Sequence, residues 1–140
     1  MLPVIGLNWW AILGATIIYF AIGGIWYSPS LFGKQWAKTV GMDMDKKKRP
    51  KPSVMASTYF MALINCFILV FVLSILIHVF DAAQVSNAVE IGIMVWLGFV
   101  ATEKMTNVLF EGKDAKYFMI TSMYSFVGII IAAAMLATWF

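Results

Sequence analysis

Four apolar stretches, residues 7–27, 54–78, 88–110 and 116–139, occupy most of this 140-residue chain. Each meets the length of about 20 mainly apolar residues that a helix needs to cross a bilayer. Hydrophobic residues make up 62% of the chain and charged residues only 12%, against roughly a quarter charged in a soluble domain. No room remains for a soluble catalytic domain, so any chemistry must sit in or against a helical bundle. The expected fold is an all-α integral membrane four-helix bundle, a single membrane domain over residues 1–140.

Charge placement orients it. Seven of the ten basic residues, Lys34, Lys38, Lys46, Lys47, Lys48, Arg49 and Lys51, lie between the first two stretches. Lys113 and Lys116 flank the junction of the third and fourth, whereas residues 81–87 and both ends carry none. The positive-inside bias puts both basic connections in the cytoplasm and both termini outside it. Aromatic residues agree: Trp9, Trp10 and Trp139 form an outer belt, and Trp26, Tyr27 and Trp36 an inner one. No Lys or Arg precedes Lys34, so the first stretch lacks the basic region of a cleavable signal peptide and is expected to stay as a span.

Local signals set the boundaries. Ser28-Pro29 pairs a capping residue with a proline suited to the first helical position, predicting a short helix over about 29–40. Phe32, Trp36 and Val40 recur every four residues there, so the helix is amphipathic and is expected to lie in the interface between spans 1 and 2. Gly41 stops it, and residues 42–52 read as an exposed basic linker, because Pro50 and Pro52 discourage regular structure. Trp26, Tyr27, Phe32 and Trp36 are expected to meet the lipid interface, with Lys46, Lys47, Lys48, Arg49 and Lys51 near anionic headgroups. Ser53 should cap the second span, Asn87 with Glu90 should form a capping box for the third, Gly112 should end it, and Asp114 should cap the fourth. Small residues four apart offer helix contacts at Gly24/Ser28, Gly98/Thr102, Gly128/Ala132 and Ala133/Ala137.

The clue to function is polar. Glu103, Lys104, Asn107 and Glu111 fall in the third stretch or at its end, and a charge at membrane depth costs roughly 2.5–3.5 kcal/mol on insertion scales. On a regular helix Glu103, Asn107, Glu111 and Lys104 lie at about 0°, 40°, 80° and 100°, one narrow sector. Glu103 lies about 10 Å inside the cytoplasmic end of its span at 1.5 Å per residue. Tyr19 and Thr121 are expected at similar depth, with Asn65 and Ser125 somewhat deeper. These residues could together form an intramembrane site. The corresponding function is an oligomeric transporter or channel for a cation, proton or small solute, with Glu103 as the binding carboxylate. The alternative is a non-catalytic scaffold, lipid-binding protein or accessory subunit, in which the polar sector glues helices together and Lys104 snorkels to the headgroups.

Enzymatic chemistry is not expected. A single His78 and a single Cys66 cannot build a zinc-type site, so neither metal nor cofactor is expected. No Walker-type phosphate loop or dinucleotide fingerprint occurs. His78 at an outer boundary is far in depth from most hydroxyls, which leaves no credible serine nucleophile. His78 and Asp81 could pair or simply occupy the headgroup layer. Membrane lipids and further copies of the chain are the expected partners, and nucleic acid is not.

The run Gly24-Ile25-Trp26-Tyr27-Ser28-Pro29, then Leu31-Phe32-Gly33-Lys34 with Trp36, carries a family likeness. It continues in Asn8, Trp96-Leu97-Gly98-Phe99-Val100 and Leu109-Phe110-Glu111-Gly112. With these motifs the chain resembles the small four-span bacterial membrane proteins grouped as domain of unknown function 1761. The resemblance covers nearly the whole chain and implies four spans and a bacterial inner membrane, but no activity.

The charge asymmetry yields a topology test. A reporter active only outside the cytoplasm should work when fused after Phe140 and fail when inserted at Met44. The reverse pattern would invert the orientation, and silence at both sites would require an odd number of spans.

Overall fold

The computed structural model describes residues 6–42 and 49–139, and within them the chain is all-helical. Lys46, Lys47 and Lys48 lie outside the described residues, so their lipid role rests on sequence alone. Four helices are long and apolar enough to span a membrane: α1 (Trp9–Trp26), α3 (Pro52–Val79), α4 (Val85–Glu111) and α5 (Ala115–Thr138). The short α2 (Gly33–Thr39) follows α1.

Helix ends follow side-chain chemistry. The Asn8 carboxamide oxygen accepts the Ala11 amide at 3.1 Å to cap α1, and its nitrogen donates to the Trp139 carbonyl at 2.9 Å. Asp114 caps α5 by accepting the Lys116 amide, as expected. Gly41 (φ 68°) and Gly112 (φ 66°) occupy the left-handed region that lets a helix stop, and both were expected there. Asp81 does the same for α3 at φ 52°; Ala82 donates back to the Ile77 carbonyl at 2.9 Å, and Asp81 to that of His78. Asp81 is thus a helix terminator, and His78 lies near Gly6.

Three boundary expectations are corrected. Ser28-Pro29 opens a turn rather than a helix: the Ser28 hydroxyl donates back to the Ile25 carbonyl, and its own carbonyl accepts from Leu31 and Gly33. The helix starts only at Gly33, where a side chain would collide with the Tyr27 and Ser28 carbonyls, so glycine alone fits this tight turn. Lys51, not Ser53, precedes α3, with Pro52 in its first turn. Asn87 and Glu90 form no capping box, because α4 begins two residues earlier behind Gln84.

Helix α5 is the centre and packs against each of the other four helices. Its buried face carries Thr121, Ser122, Ser125, Gly128, Ala132, Ala133 and Ala137. Small residues let helices approach closely where lipid offers no hydrophobic drive for association. The Tyr19 ring fills the space above Gly128, and a methyl there would overlap it. Gly92 of α4 meets Ala133, where an added Cβ would stand 3.3 Å away. The expected ridges at Gly128/Ala132 and Ala133/Ala137 are therefore real contacts. Gly24 and Gly98 are not: nothing lies within 4 Å of where their Cβ would be.

Two irregularities shape the rest. Helix α3 buries residues only from Cys66 onward, and its first half, residues 52–65, has no buried position. Helix α4 contains a π-helical turn at Trp96–Ala101, which inserts about one residue into its periodicity.

Adding a methyl at Gly128 should lower thermal stability in detergent by about 1–3 kcal/mol, since the Tyr19 ring must move. Gly24→Ala should leave the unfolding midpoint unchanged or slightly raised. Equal midpoints for Gly128→Ala and Gly24→Ala would show that the Tyr19–Gly128 contact is not tight.

Candidate functional site

The π turn decides where the acidic sector goes. Helix α4 buries Ala88 and Gly92 and half-buries Trp96. At 3.6 residues per turn this face would continue through about 99–100, 103 and 107. Instead Ala101 is buried, Lys104 and Val108 are half-buried, and Asn107 is half-buried at the edge of both faces. The extra residue therefore turns Glu103 outward, where it is exposed, as is Glu111. The four polar residues still share a sector, because Thr102–Glu111 is regular α-helix. That sector is not a buried site.

Depth separates it further. The Trp26 indole donates to the Ile120 carbonyl at 3.0 Å, and the Trp96 indole to the Ser122 carbonyl at 2.9 Å. Two carbonyls two residues apart on α5 thus fix both tryptophans at nearly one level. Tyr19 precedes Trp26 by seven residues on α1, and Glu103 follows Trp96 by seven on α4, which runs the same way. At about 1.5 Å per residue they lie roughly 20 Å apart along the bundle. Glu103 is part of neither the tyrosine cluster nor the groove beside it, where Tyr19, Asn65 and Ser125 fall.

A different cluster does assemble. Tyr19 is buried and stacks on Tyr124 with ring centroids 5.4 Å apart, and Tyr27 meets the same ring edge-on at 5.3 Å. The Ser125 hydroxyl lies within reach of the Tyr19 phenol, and the Cys66 thiol within reach of Tyr124. Thr121 and Ser125 are buried on this side, but each hydroxyl donates to the carbonyl four residues back, at 2.9 and 3.1 Å. They give α5 a slim polar face with its hydrogens already committed.

Beside the tyrosines a groove of about 320 Å³ opens between α1 and the first half of α3. Phe20, Gly23, Gly24 and Tyr27 line it from α1; Tyr59, Ala62, Asn65 and Cys66 from α3; and Tyr124 forms its back. An added Cβ on Gly23 would stand 2.8 Å from the Tyr124 hydroxyl, so glycine lets that phenol reach the groove. Asn65 and Tyr59 are exposed, which makes the opening lateral, toward lipid. The lining holds phenols, an amide and a thiol but no charged side chain. Such walls can stack on a flat or unsaturated group and exchange hydrogen bonds with an uncharged polar one. Among the described residues no group of His, Cys, Asp and Glu could hold a metal ion.

The interfacial aromatics also turn inward. Phe32 packs on Trp26 at 4.7 Å, and Trp36 meets Tyr27 edge-on at 5.5 Å. All four are half-buried and fasten α2 to the end of α1 rather than facing lipid alone. Arg49 and Lys51 are exposed.

Of the expected site, Tyr19, Asn65 and Ser125 thus fall in or beside the tyrosine groove, Thr121 lies one turn from Ser125, and Glu103, Lys104, Asn107 and Glu111 stand apart. Tyr27, Tyr59, Cys66 and Tyr124 were missing from the site as read from sequence. The Gly23-Gly24 pair was the available signal, because each glycine inside a helix costs about 1 kcal/mol relative to alanine and calls for a reason.

Over residues 10–137 the chain matches the family described as "Protein of unknown function (DUF1761)", and it belongs to that family. No curated protein and no solved structure matches it. The resemblance carried by the tryptophan and glycine motifs is borne out.

Replacing Trp26 or Trp96 by Phe keeps the ring contacts but deletes the indole donor. Each change should cost about 0.5–1.5 kcal/mol of stability in detergent unfolding. Glu103→Gln should leave stability unchanged. A large loss from Glu103→Gln would place the carboxylate in a structural contact after all.

Proposed function

We propose that this protein is a non-enzymatic, lipid-facing binding protein of the bacterial inner membrane, with both termini outside the cytoplasm. Its ligand is an uncharged amphiphile that enters from the bilayer. The observation that carries this reading is the lateral groove of Tyr27, Tyr59, Asn65, Cys66 and Tyr124, which offers hydrogen bonds but no charged side chain between two long apolar helices. An apolar tail can stay in lipid while a hydroxyl or carbonyl head meets the phenols and the amide. Association into a small homo-oligomer belongs to the same proposal, because residues 52–65 of α3 contain no buried position and can be covered by another copy. Transport through an intramembrane carboxylate receives no support from an exposed Glu103 that lines no groove with the other polar residues.

Photo-crosslinking tests the groove. A benzophenone side chain placed at Tyr59 in membranes should capture a lipid with an uncharged head, identified by mass spectrometry. The same group at the neighbouring, exposed Phe60, which does not line the groove, should capture bulk phospholipid. Gly24→Trp should reduce the Tyr59 adduct roughly tenfold, equivalent to about 1.4 kcal/mol of binding. Identical adducts at both positions, unaffected by Gly24→Trp, would reduce the groove to ordinary lipid contact.

A further inference from the structure

A second groove, independent of the first, lies where α2 meets the start of α5. Gln35, Lys38 and Thr39 from α2 face Asp114 and Lys116 from the α5 end, around a volume of about 410 Å³. Every lining residue is polar. Its height is set by its neighbours: α2 is fastened to Trp26 and Tyr27 at the end of α1, and Lys116 opens the span that α5 makes. The groove therefore sits at the level where apolar helices give way to polar surface, the layer that lipid headgroups occupy.

Charge and donor count define what fits. Lys38 and Lys116 contribute two positive charges and Asp114 one negative, which leaves a net single positive charge. The Asp114 carboxylate is engaged, accepting the Lys116 amide at 3.2 Å. The Thr39 hydroxyl has its hydrogen committed to the Trp36 carbonyl at 2.6 Å. The remaining donors are two ammonium groups and the Gln35 amide, arranged around a space of molecular size. A monoanion with several acceptor oxygens matches them, and a phosphodiester carries that charge and those oxygens. We infer that this groove holds the phosphodiester of a membrane phospholipid headgroup. The shared chemistry admits a soluble phosphodiester too, but the groove's place at the membrane boundary favours a lipid. A lysine near an anionic membrane surface contributes about 1 kcal/mol. Two that line one groove from separate helices can both reach a group held there. The site differs from the linker cluster, whose basic residues are consecutive or nearly so, because its two lysines stand far apart in sequence.

Native mass spectrometry of the full chain, released from detergent with phosphatidylglycerol, reads the site directly. Lys38→Gln with Lys116→Gln should reduce retained phosphatidylglycerol about tenfold, and Lys38→Arg with Lys116→Arg should retain it. Neutralising Arg49 and Lys51 of the linker should change retention less than twofold. All of these positions are exposed, so unchanged thermal unfolding is expected and is measured alongside. Diacylglycerol, which lacks the phosphodiester, should be indifferent to the lysine pair. Retention unchanged by the Gln pair, or lost equally on linker neutralisation, would overturn the inference. Glycerophosphoglycerol competing as effectively as the lipid would overturn the lipid source and assign the groove to a soluble phosphodiester. Loss of diacylglycerol retention in the Gln pair would show a general disturbance and count against the site.

Discussion

An indole N–H buried away from water must find an acceptor, and in hydrocarbon the reliable acceptors are main-chain carbonyls. Trp26 at the end of α1 and Trp96 in the middle of α4 solve this in the same way, on carbonyls of α5 two residues apart. A carbonyl already bonded within its helix can accept a second donor on its other lone pair. The two bonds thus add cohesion without unwinding α5. They tie α1 and α4 to one central helix.

The helix that receives these bonds is suited to them. Its buried face is built from Ser, Thr, Gly and Ala, with larger side chains between, so neighbours come close enough for an indole to reach its backbone. Where α1 approaches, Gly128 leaves room for the Tyr19 ring, and the Tyr19–Tyr124–Tyr27 stack continues the contact toward α2. One half of the bundle buries Ile12, Val70, Leu73, Ile77 and Ile129, with Trp9, Phe67 and Phe71 stacked beside them. Aromatic packing dominates the other. Polar aromatics can line a groove and still pack, which is why the candidate site occurs in the half that aliphatic residues do not fill.

Sequence revealed the spans because hydropathy is a sum over some twenty residues, which single irregularities cannot hide. Caps at Asp114 and stops at Gly41 and Gly112 were equally legible, since each acts through its own backbone. Glu103 was misread for a definite reason. Its common sector with Lys104, Asn107 and Glu111 could be read from spacing, but the direction that sector faces could not, because it depends on the π turn at Trp96–Ala101. Ser28-Pro29 misled similarly: its residue types suit a helix start, but the close approach of Gly33 to the Tyr27 carbonyl imposes a turn. The tyrosine groove was hidden because its lining comes from three helices, and only Gly23-Gly24 left a local trace.

Length mismatch offers a physical origin for that groove. Helix α1 has 18 residues and α3 has 28, or about 27 Å and 42 Å of helix. The hydrocarbon layer is about 30 Å thick, so α1 can cross it upright whereas α3 must tilt or protrude. Residues from Cys66 onward bury α3 against the bundle, whereas residues 52–65 have no buried position. The space left beside α1 would collapse if large side chains on α1 bridged it, but Gly23 and Gly24 present none. Length and glycine together therefore keep the groove open at its side, with the exposed Tyr59 and Asn65 at the opening and the Tyr124 phenol at the back.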